Sequence, residues 1–576
     1  MIPMDSTPRL QRGFTLRALL LGALIGVVQT IANVYMALKT GIWDGGFPTA
    51  AVLAFALAGA LRFKGFSPQE NLTSQCVAAA ACAVPATAGL LGAIPALQLL
   101  GRDPGAVAII LWAVALGTLG AVSALAFRRK LLVEERLVFP TGKVTADVIT
   151  AMHTVGAGAA SRARALGLSA GVAILITWLR DGPRPWLPAM TALPLRIGGT
   201  SAAVLTLGVG WSPLMLGVGA LVGPQIGLSM LLGAALAWGL LAPVALATGE
   251  VAGADFGSLI GWLTWPGVAL MVSGAMVALA LQGHAFLRSF GSSGSTGAKL
   301  ADPEISLNLW RVARLVALAA AIIAVFVAWH TFALHPIVTL LAIGLSVILA
   351  EAALRAAGET DFLPLGQMGQ LGQAVFGPVS MGHPIADTAA GSVTGGIAEA
   401  GVLVYMMRAG LDLRASVSQL FSATLVGIGV GAAVSVPAYW IVTRAYGLGT
   451  EALPAAAART WKAVAVVMTG TGGAIPPHAL QATWIAAVVG LIVTLLARGG
   501  RERRLPSVVA MGVAFILPAY YSVAIALGSV IFMLARKRFP TATEQLAPSI
   551  ASGAIAGESL MGVMIAVLIS TGVLRR

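Results

Sequence analysis

Residues 311–330 read RVARLVALAAAIIAVFVAWH, and residues 335–356 read HPIVTLLAIGLSVILAEAALRA. Each run is almost uniformly apolar and roughly twenty residues long, the length an α-helix needs to cross the hydrocarbon core of a bilayer. Neither alternates apolar with polar residues, as a strand of a membrane barrel would. His330 and His335 flank a turn between the two runs. The rest of the chain repeats the theme. Of 576 residues, 58% are hydrophobic and 10% are charged, and the mean hydropathy is +0.90. A soluble domain carries about 25% charged residues, so this surplus of apolar surface suits lipid and not water. Sixty-nine glycines fit helices packed closely through small side chains.

Working outward in both directions, apolar runs predict spans near 14–38, 46–62, 71–98, 105–127, 165–179, 200–222, 224–246 and 263–286 on the N-terminal side. On the C-terminal side they fall near 384–407, 416–441, 476–497, 506–535 (one long or two short) and 549–573. Residues 136–155 and 455–470 are proline-started and polar inside, which suits re-entrant or broken helices beside a cavity. The expectation is an all-α polytopic membrane protein with about 14–16 transmembrane or re-entrant helices. It divides into an N-terminal membrane half (1–286), a polar linker (287–310) carrying Gly291-Ser292-Ser293-Gly294-Ser295, and a C-terminal membrane half (311–576). The halves look pseudo-repeated. Glu135 to Pro140 recurs loosely as Glu451 to Pro454, and Pro213, Gly219 and Pro224 resemble Pro506, Gly512 and Pro518. Repeats of this kind place a transporter's site between them.

The net charge of +14 might point to nucleic acid, but its distribution does not. Arg9, Arg12, Arg17, Arg128-Arg129-Lys130, Arg162, Arg164, Arg501, Arg503, Arg504 and Arg536-Lys537-Arg538 stand at segment ends, as positive residues retained on the cytoplasmic side do. The reading is a lipid-embedded protein with its N-terminus inside, no nucleic-acid partner and no cleavable signal peptide. Cys76 and Cys82 lie in an apolar segment and read as small core residues. The six histidines show no metal-ligand spacing, and no phosphate loop, serine elbow or HExxH occurs. No metal, cofactor or ATP is expected, and an enzyme is not.

Ionisable and amide groups are costly in a bilayer unless they face a cavity or a partner. The first span carries Gln29, Asn33 and Tyr35, then Lys39; Gln29 and Asn33 share a face. The third opens on Glu70 and Asn71, with Gln75 four residues on from Asn71. Lys143 and Asp147 stand at i, i+4, a spacing that suits a structural ion pair or a binding role. Glu359 and Asp361 precede Gln367, Gln370 and Gln373, whose amides suit peptide-like or carboxylate groups or else a solvated loop. Asp387 to Gly396, ending at Glu399, reads as a small polar helix built for close packing. Glu558 is a lone glutamate in the last span, and protonation would relieve its burial.

These residues carry a resemblance. Asn33-Val34-Tyr35-Met36-Ala37-Leu38-Lys39-Thr40-Gly41, Glu70-Asn71 with Gln75, Phe139-Pro140-Thr141-Gly142 and Ser212-Pro213 through Gly223 stand in the order of the oligopeptide transporter (OPT) superfamily. So do Trp265-Pro266-Gly267-Val268, Gly358-Glu359-Thr360-Asp361 and Gly557-Glu558-Ser559-Leu560. The chain resembles a bacterial member related to the Yellow-stripe-like metal-chelate branch. The resemblance implies a fold of roughly sixteen spans and proton-driven import of small peptides or peptide-like metal chelates. The family's proline-rich peptide signatures are absent, and Met406 to Asp412 replaces a stretch that in relatives ends in Lys-Thr-Gly. On this reading Glu558, or one of Asp147, Glu359 and Asp361, takes the proton. A passive channel and an intramembrane enzyme are the alternatives, and the Ala, Leu and Arg usage fits a bacterial inner membrane.

Overall fold

The computed structural model describes residues 13–574, apart from 42, 44, 46, 156–158, 252, 282–304, 361, 362, 364, 381, 397, 472–476 and 498–504. The expected linker therefore lies outside the described residues up to residue 304. Helix α1 (Leu16–Thr40) begins where the Thr15 side chain accepts from the Ala18 N–H. It ends at Gly41, whose φ of 75° lets its N–H turn back to the Ala37 carbonyl. Then come α2 (Phe47–Ala60), α3 (Pro68–Thr87), α4 (Ala93–Leu99), α5 (Ala106–Arg128), α6 (Pro140–Val155) and α7 (Ala159–Asp181). Two short antiparallel pairs follow, β1 (Met190–Ala192) with β4 (Gly208–Gly210) and β2 (Arg196–Ile197) with β3 (Thr200–Ser201).

Helix α8 (Pro213–Ala234) runs through a π-helical stretch, Ala235–Leu241, into α9 (Ala242–Ala247), and α10 (Phe256–Leu281) closes this part of the chain. The second part holds α11 (Leu307–Phe332), α12 (Pro336–Thr360), α13 (Leu365–Phe376), α14 (Pro384–Gly395), α15 (Ala398–Leu413) and α16 (Val417–Tyr446). It finishes with α17 (Ala456–Met468), α18 (Pro477–Leu496), α19 (Val508–Ile516), α20 (Ala519–Arg538) and α21 (Pro540–Ser570). Twelve of the described helical stretches are long and apolar enough to cross a membrane. The chain is an all-α, multi-pass membrane protein.

The differences from the sequence reading have physical causes. The run 200–222 is not one span: its first half folds into the β-pairs, and a helix starts only at Ser212, which caps the Met215 N–H ahead of Pro213. Residues 71–98 split into α3 and α4, with Gly89 at φ 74° in the turn. The run 506–535 takes the second of its two expected forms, a pair of helices, because Pro518 cannot donate the bond that would continue α19. The run 384–407 breaks at Gly395-Gly396 into α14 and α15.

Packing follows the glycines. A Cβ built on Gly219 would lie 2.0 Å from the Ile525 carbonyl oxygen, and one on Gly528 would lie 2.1 Å from that of Leu216, so α8 and α20 touch backbone to backbone. Gly553 and Gly557 bring α21 against α7 in the same way, and Gly427 and Gly431 bring α16 against α3. Helix α3 and the α14–α15 pair form the centre; seventeen residues of α3 are buried. Helices α7, α11 and α18 lie outside, presenting Leu168, Leu315, Ile322, Trp484 and Ile485 outward. On a soluble protein that surface would be an interaction patch; here it faces lipid.

Candidate functional site

Five chain segments end at one place. The last turn of α1 brings Lys39, and Tyr35 lies one turn earlier; the Lys39 ammonium stands 4.8 Å from the Tyr35 ring centroid and 5.9 Å from that of Tyr521. Helix α7 ends in Arg180-Asp181, α8 opens at Ser212, and α20 opens with Tyr520-Tyr521 directly after Pro518. Helix α16 ends at Tyr446, whose hydroxyl donates to the Gly562 carbonyl at 2.7 Å and whose ring packs edge-on against Tyr35. Glu451 and Ala452 reach in from the loop after α16. Together these groups enclose a cavity of about 300 Å³, lined by Lys39, Arg180, Asp181, Ser212, Tyr446, Glu451, Tyr520 and Tyr521.

Glu558 floors this arrangement from the middle of α21 and is completely buried. Its carboxylate accepts from Arg180 Nη2 at 2.9 Å, from the Ser212 hydroxyl at 2.8 Å and from the Leu214 N–H at 2.9 Å. It thus serves as the anion at the N-terminus of α8, where unpaired N–H groups and the helix dipole favour negative charge. Arg180 is fully engaged, because it also donates to both Asp181 oxygens and to the Trp211 carbonyl. Lys39 is not. It lies 3.7 Å from Glu558 and makes no hydrogen bond among the described residues. Its ammonium is held by ring faces and lines the cavity.

Of the residues singled out in the sequence, the structure brings Tyr35, Lys39 and Glu558 together. Asn33 instead ties α1 to α3, donating to the Cys82 carbonyl at 3.0 Å and to its sulfur. Gln29 is half-buried on the same helix. Glu70 completes a capping box with Ser67 and pairs with Arg17 at 2.6 Å, a helix-start role. Asn71 lies 3.4 Å from the His153 ring nitrogen, and Gln75 lies 3.5 Å from Thr145. Lys143 bridges Asp147 at 2.8 Å and Asp412 at 3.1 Å on an exposed face. Gln370 is half-buried on α13, and Gln373 donates to Asp387 and to the Trp461 carbonyl. Asp361 and the side chains of Glu359 and Gln367 lie outside the described residues.

The sequence reading did not select Arg180, Asp181, Ser212, Tyr446, Glu451, Tyr520 or Tyr521 as site residues. Arg180-Asp181 stand just past the apolar run 165–179, and Tyr446, Tyr520 and Tyr521 stand in or beside apolar runs with no charged residue at helical spacing to mark them. The signal was their scarcity: the chain has six tyrosines, and Tyr35, Tyr446, Tyr520 and Tyr521 gather here. Cys76 and Cys82 are buried and form no disulfide, and no metal-binding cluster of His, Cys, Asp or Glu occurs among the described residues.

Twelve long apolar helices and a cavity lined by opposite charges and tyrosines define a multi-pass membrane transport protein. The family model described as OPT oligopeptide transporter protein matches residues 13–569, and the chain belongs to that family. It is 22% identical to a rice protein (Oryza sativa subsp. japonica) named "Probable metal-nicotianamine transporter YSL10", over 97% of this chain and 91% of the relative. It is 23% identical to the Arabidopsis thaliana protein named "Probable metal-nicotianamine transporter YSL6", over 98% of this chain and 93% of the relative. A Haemophilus influenzae protein that bears the name of an oligopeptide transporter is 25% identical, over 94% and 93%.

Proposed function

We propose that this chain is a secondary active transporter that imports small peptides or peptide-like metal chelates across a bacterial inner membrane, driven by the proton gradient. The observation that carries the reading is Lys39: a buried ammonium at a cavity wall, stacked on aromatic rings, with no hydrogen bond among the described residues. A substrate carboxylate is the group that complements it. Glu451 and the Tyr520 and Tyr521 hydroxyls, on the same walls, offer acceptors to an amine. A solute with both groups matches this polarity, and peptides and amino-carboxylate chelators both have them. A cavity of about 300 Å³ is at the small end of ligand pockets.

In the transport cycle on this reading, Lys39 binds the substrate carboxylate and the tyrosine faces exclude water around it. Glu558 does not act on substrate directly. It holds Arg180, Ser212 and the start of α8 in register, so it keeps the wall opposite Lys39 in place. The names of the plant and bacterial relatives supply the two substrate classes.

The test is uptake of radiolabelled tetra-alanine and of iron–nicotianamine by proteoliposomes under an imposed pH gradient. Accumulation above the outside concentration is expected for one of the two, abolished by a protonophore. Lys39→Gln is expected to lower it at least tenfold while leaving the purified protein monodisperse. Equilibration without accumulation would make the protein a passive pore, and unaltered uptake by Lys39→Gln would remove that residue from the site.

A further inference from the structure

The proton reading above requires a group that gains and loses charge, and Glu558, clasped by two cations, a hydroxyl and a backbone N–H, is built to remain an anion. We propose that Glu399, in the first turn of α15, is the residue that carries the coupled proton; this rests on the proton-driven reading.

Glu399 is completely buried, and neither of its carboxyl oxygens has a hydrogen-bond partner among the described residues. It forms no ion pair among the described residues. A carboxylate sealed in this way has nothing to replace the water it lost, whereas the neutral acid fits. The groups on the surrounding helices do not supply a counter-charge. On α3, Glu70 is paired with Arg17, and the Cys76 thiol lies within hydrogen-bond reach of the Leu420 carbonyl and the Thr424 hydroxyl. On α5, Gly120 touches Glu399, and Arg128 stands eight residues further, about 12 Å along the axis. On α6, Lys143 and Asp147 pair with each other and His153 lies against Asn71. On α12, Arg355 and Glu351 belong to a network with Glu135 and Lys130. On α16, Arg444 stacks on Trp440, Tyr439 donates to Gln98 and Tyr446 to Gly562. On α15 itself, Arg408 pairs with Asp412. Asp387, on the preceding α14, faces Gln373.

The position also offers a route. Glu399 follows the Gly395-Gly396 break by three residues, and Gly395 and Ser392 line a second cavity of about 120 Å³. That cavity is also lined by Gly41, two residues beyond Lys39 at the end of α1. The same end of α1 is held from below by the Ala455 N–H, which donates to the Leu38 carbonyl. Substrate on Lys39 therefore bears on the helix end that borders the cavity lined by Ser392 and Gly395, the residues just before the break that precedes Glu399. The proton adds to one carboxylate oxygen of Glu399 when the break is open to one side, and leaves from the same oxygen when it is open to the other. A metal cation would need several oxygen ligands, and among the described residues no group of three or more His, Cys, Asp or Glu side chains gathers to hold one.

Glu399→Gln preserves shape and removes the titration. In proteoliposomes loaded with tetra-alanine or iron–nicotianamine, the variant is expected to keep counterflow exchange within about twofold of the parent. Its stimulation by a pH gradient is expected to fall at least tenfold. Equal stimulation of variant and parent overturns the assignment of Glu399 alone. A parent that accumulates neither probe under a pH gradient, or one driven by sodium instead, overturns the proton reading and Glu399 with it. A measurement that needs no substrate keeps the idea testable if transport by the variant is lost. Infrared difference spectra of the parent, taken across a pH step with ¹³C-labelled glutamate, should contain a protonated carboxyl band that Glu399→Gln lacks. If the bands are identical in both proteins, Glu399 is not the carrier.

Discussion

At the scale of single residues, three buried charges meeting at one cavity divide the labour. Arg180 spends a donor from each of its three nitrogens and acts as a brace, Glu558 is the anion it braces, and Lys39 lines the cavity with no hydrogen bond among the described residues. That division predicts different outcomes for similar substitutions. Removing one partner of a buried charge network leaves the others uncompensated, which costs about 3 kcal/mol or more. Glu558→Gln is therefore expected to lower stability by about 3 kcal/mol, because Lys39 and Arg180 keep their charges and the N-terminus of α8 loses its anion. Denaturant unfolding of the purified protein in micelles measures this, and a loss below about 1 kcal/mol would mean that the carboxylate is not structural. Tyr35, Lys39 and Glu558 were legible in the sequence because charged and polar groups stand out in apolar runs. Arg180 was not, because an arginine at the end of a span reads equally as a residue marking the membrane edge.

At the scale of elements, broken helices are what bring these side chains to one point. Two runs share a plan. Ser212-Pro213 starts α8, Gly219 gives close contact, and the chain kinks where Gly223, at φ 79°, meets Pro224. Pro506-Ser507 precedes α19, Gly512 packs against α10, and the helix stops before Pro518. The second break aims the Tyr520-Tyr521 turn at the cavity. Because α8 and α20 approach through bare backbone at Gly219 and Gly528, side chains there have no room. Gly219→Val should force the two helices apart, and the expected readout is loss of the monodisperse peak on size-exclusion chromatography. Gly59→Ala on α2, where an added Cβ meets nothing within 4 Å, serves as the matched control and should elute as the parent does. A Gly219→Val protein that elutes and melts like the parent would show that this pair of helices can separate freely.

At the scale of the whole molecule, helices from both ends of the chain interleave. Helix α21 lies along α7, α1 packs against α3, α16 and α21, and α10 packs against α18 and α19. The cavity draws on α1, α7, α8, α16 and α20, so no contiguous stretch of sequence contains it. A route through such a cavity must open to one side at a time. Ala452→Cys, on the cavity wall, should react with a membrane-impermeant maleimide from one face of sealed vesicles and be protected by the transported solute. Native Cys76 and Cys82, buried between helices, should not react. Labelling of Ala452→Cys that substrate leaves unchanged would separate this cavity from the transport path. The sequence by itself determined the solvent, the helical class and the family, because those depend on composition, run length and local motif, and each is written in residues near one another. Which polar groups meet, which cation remains available and which carboxyl is sealed without a partner were decided by tertiary structure. Those properties belong to contacts between residues hundreds of positions apart, such as Arg180 with Glu558, and in a lipid-embedded chain the cost of a buried charge depends on who its neighbours are.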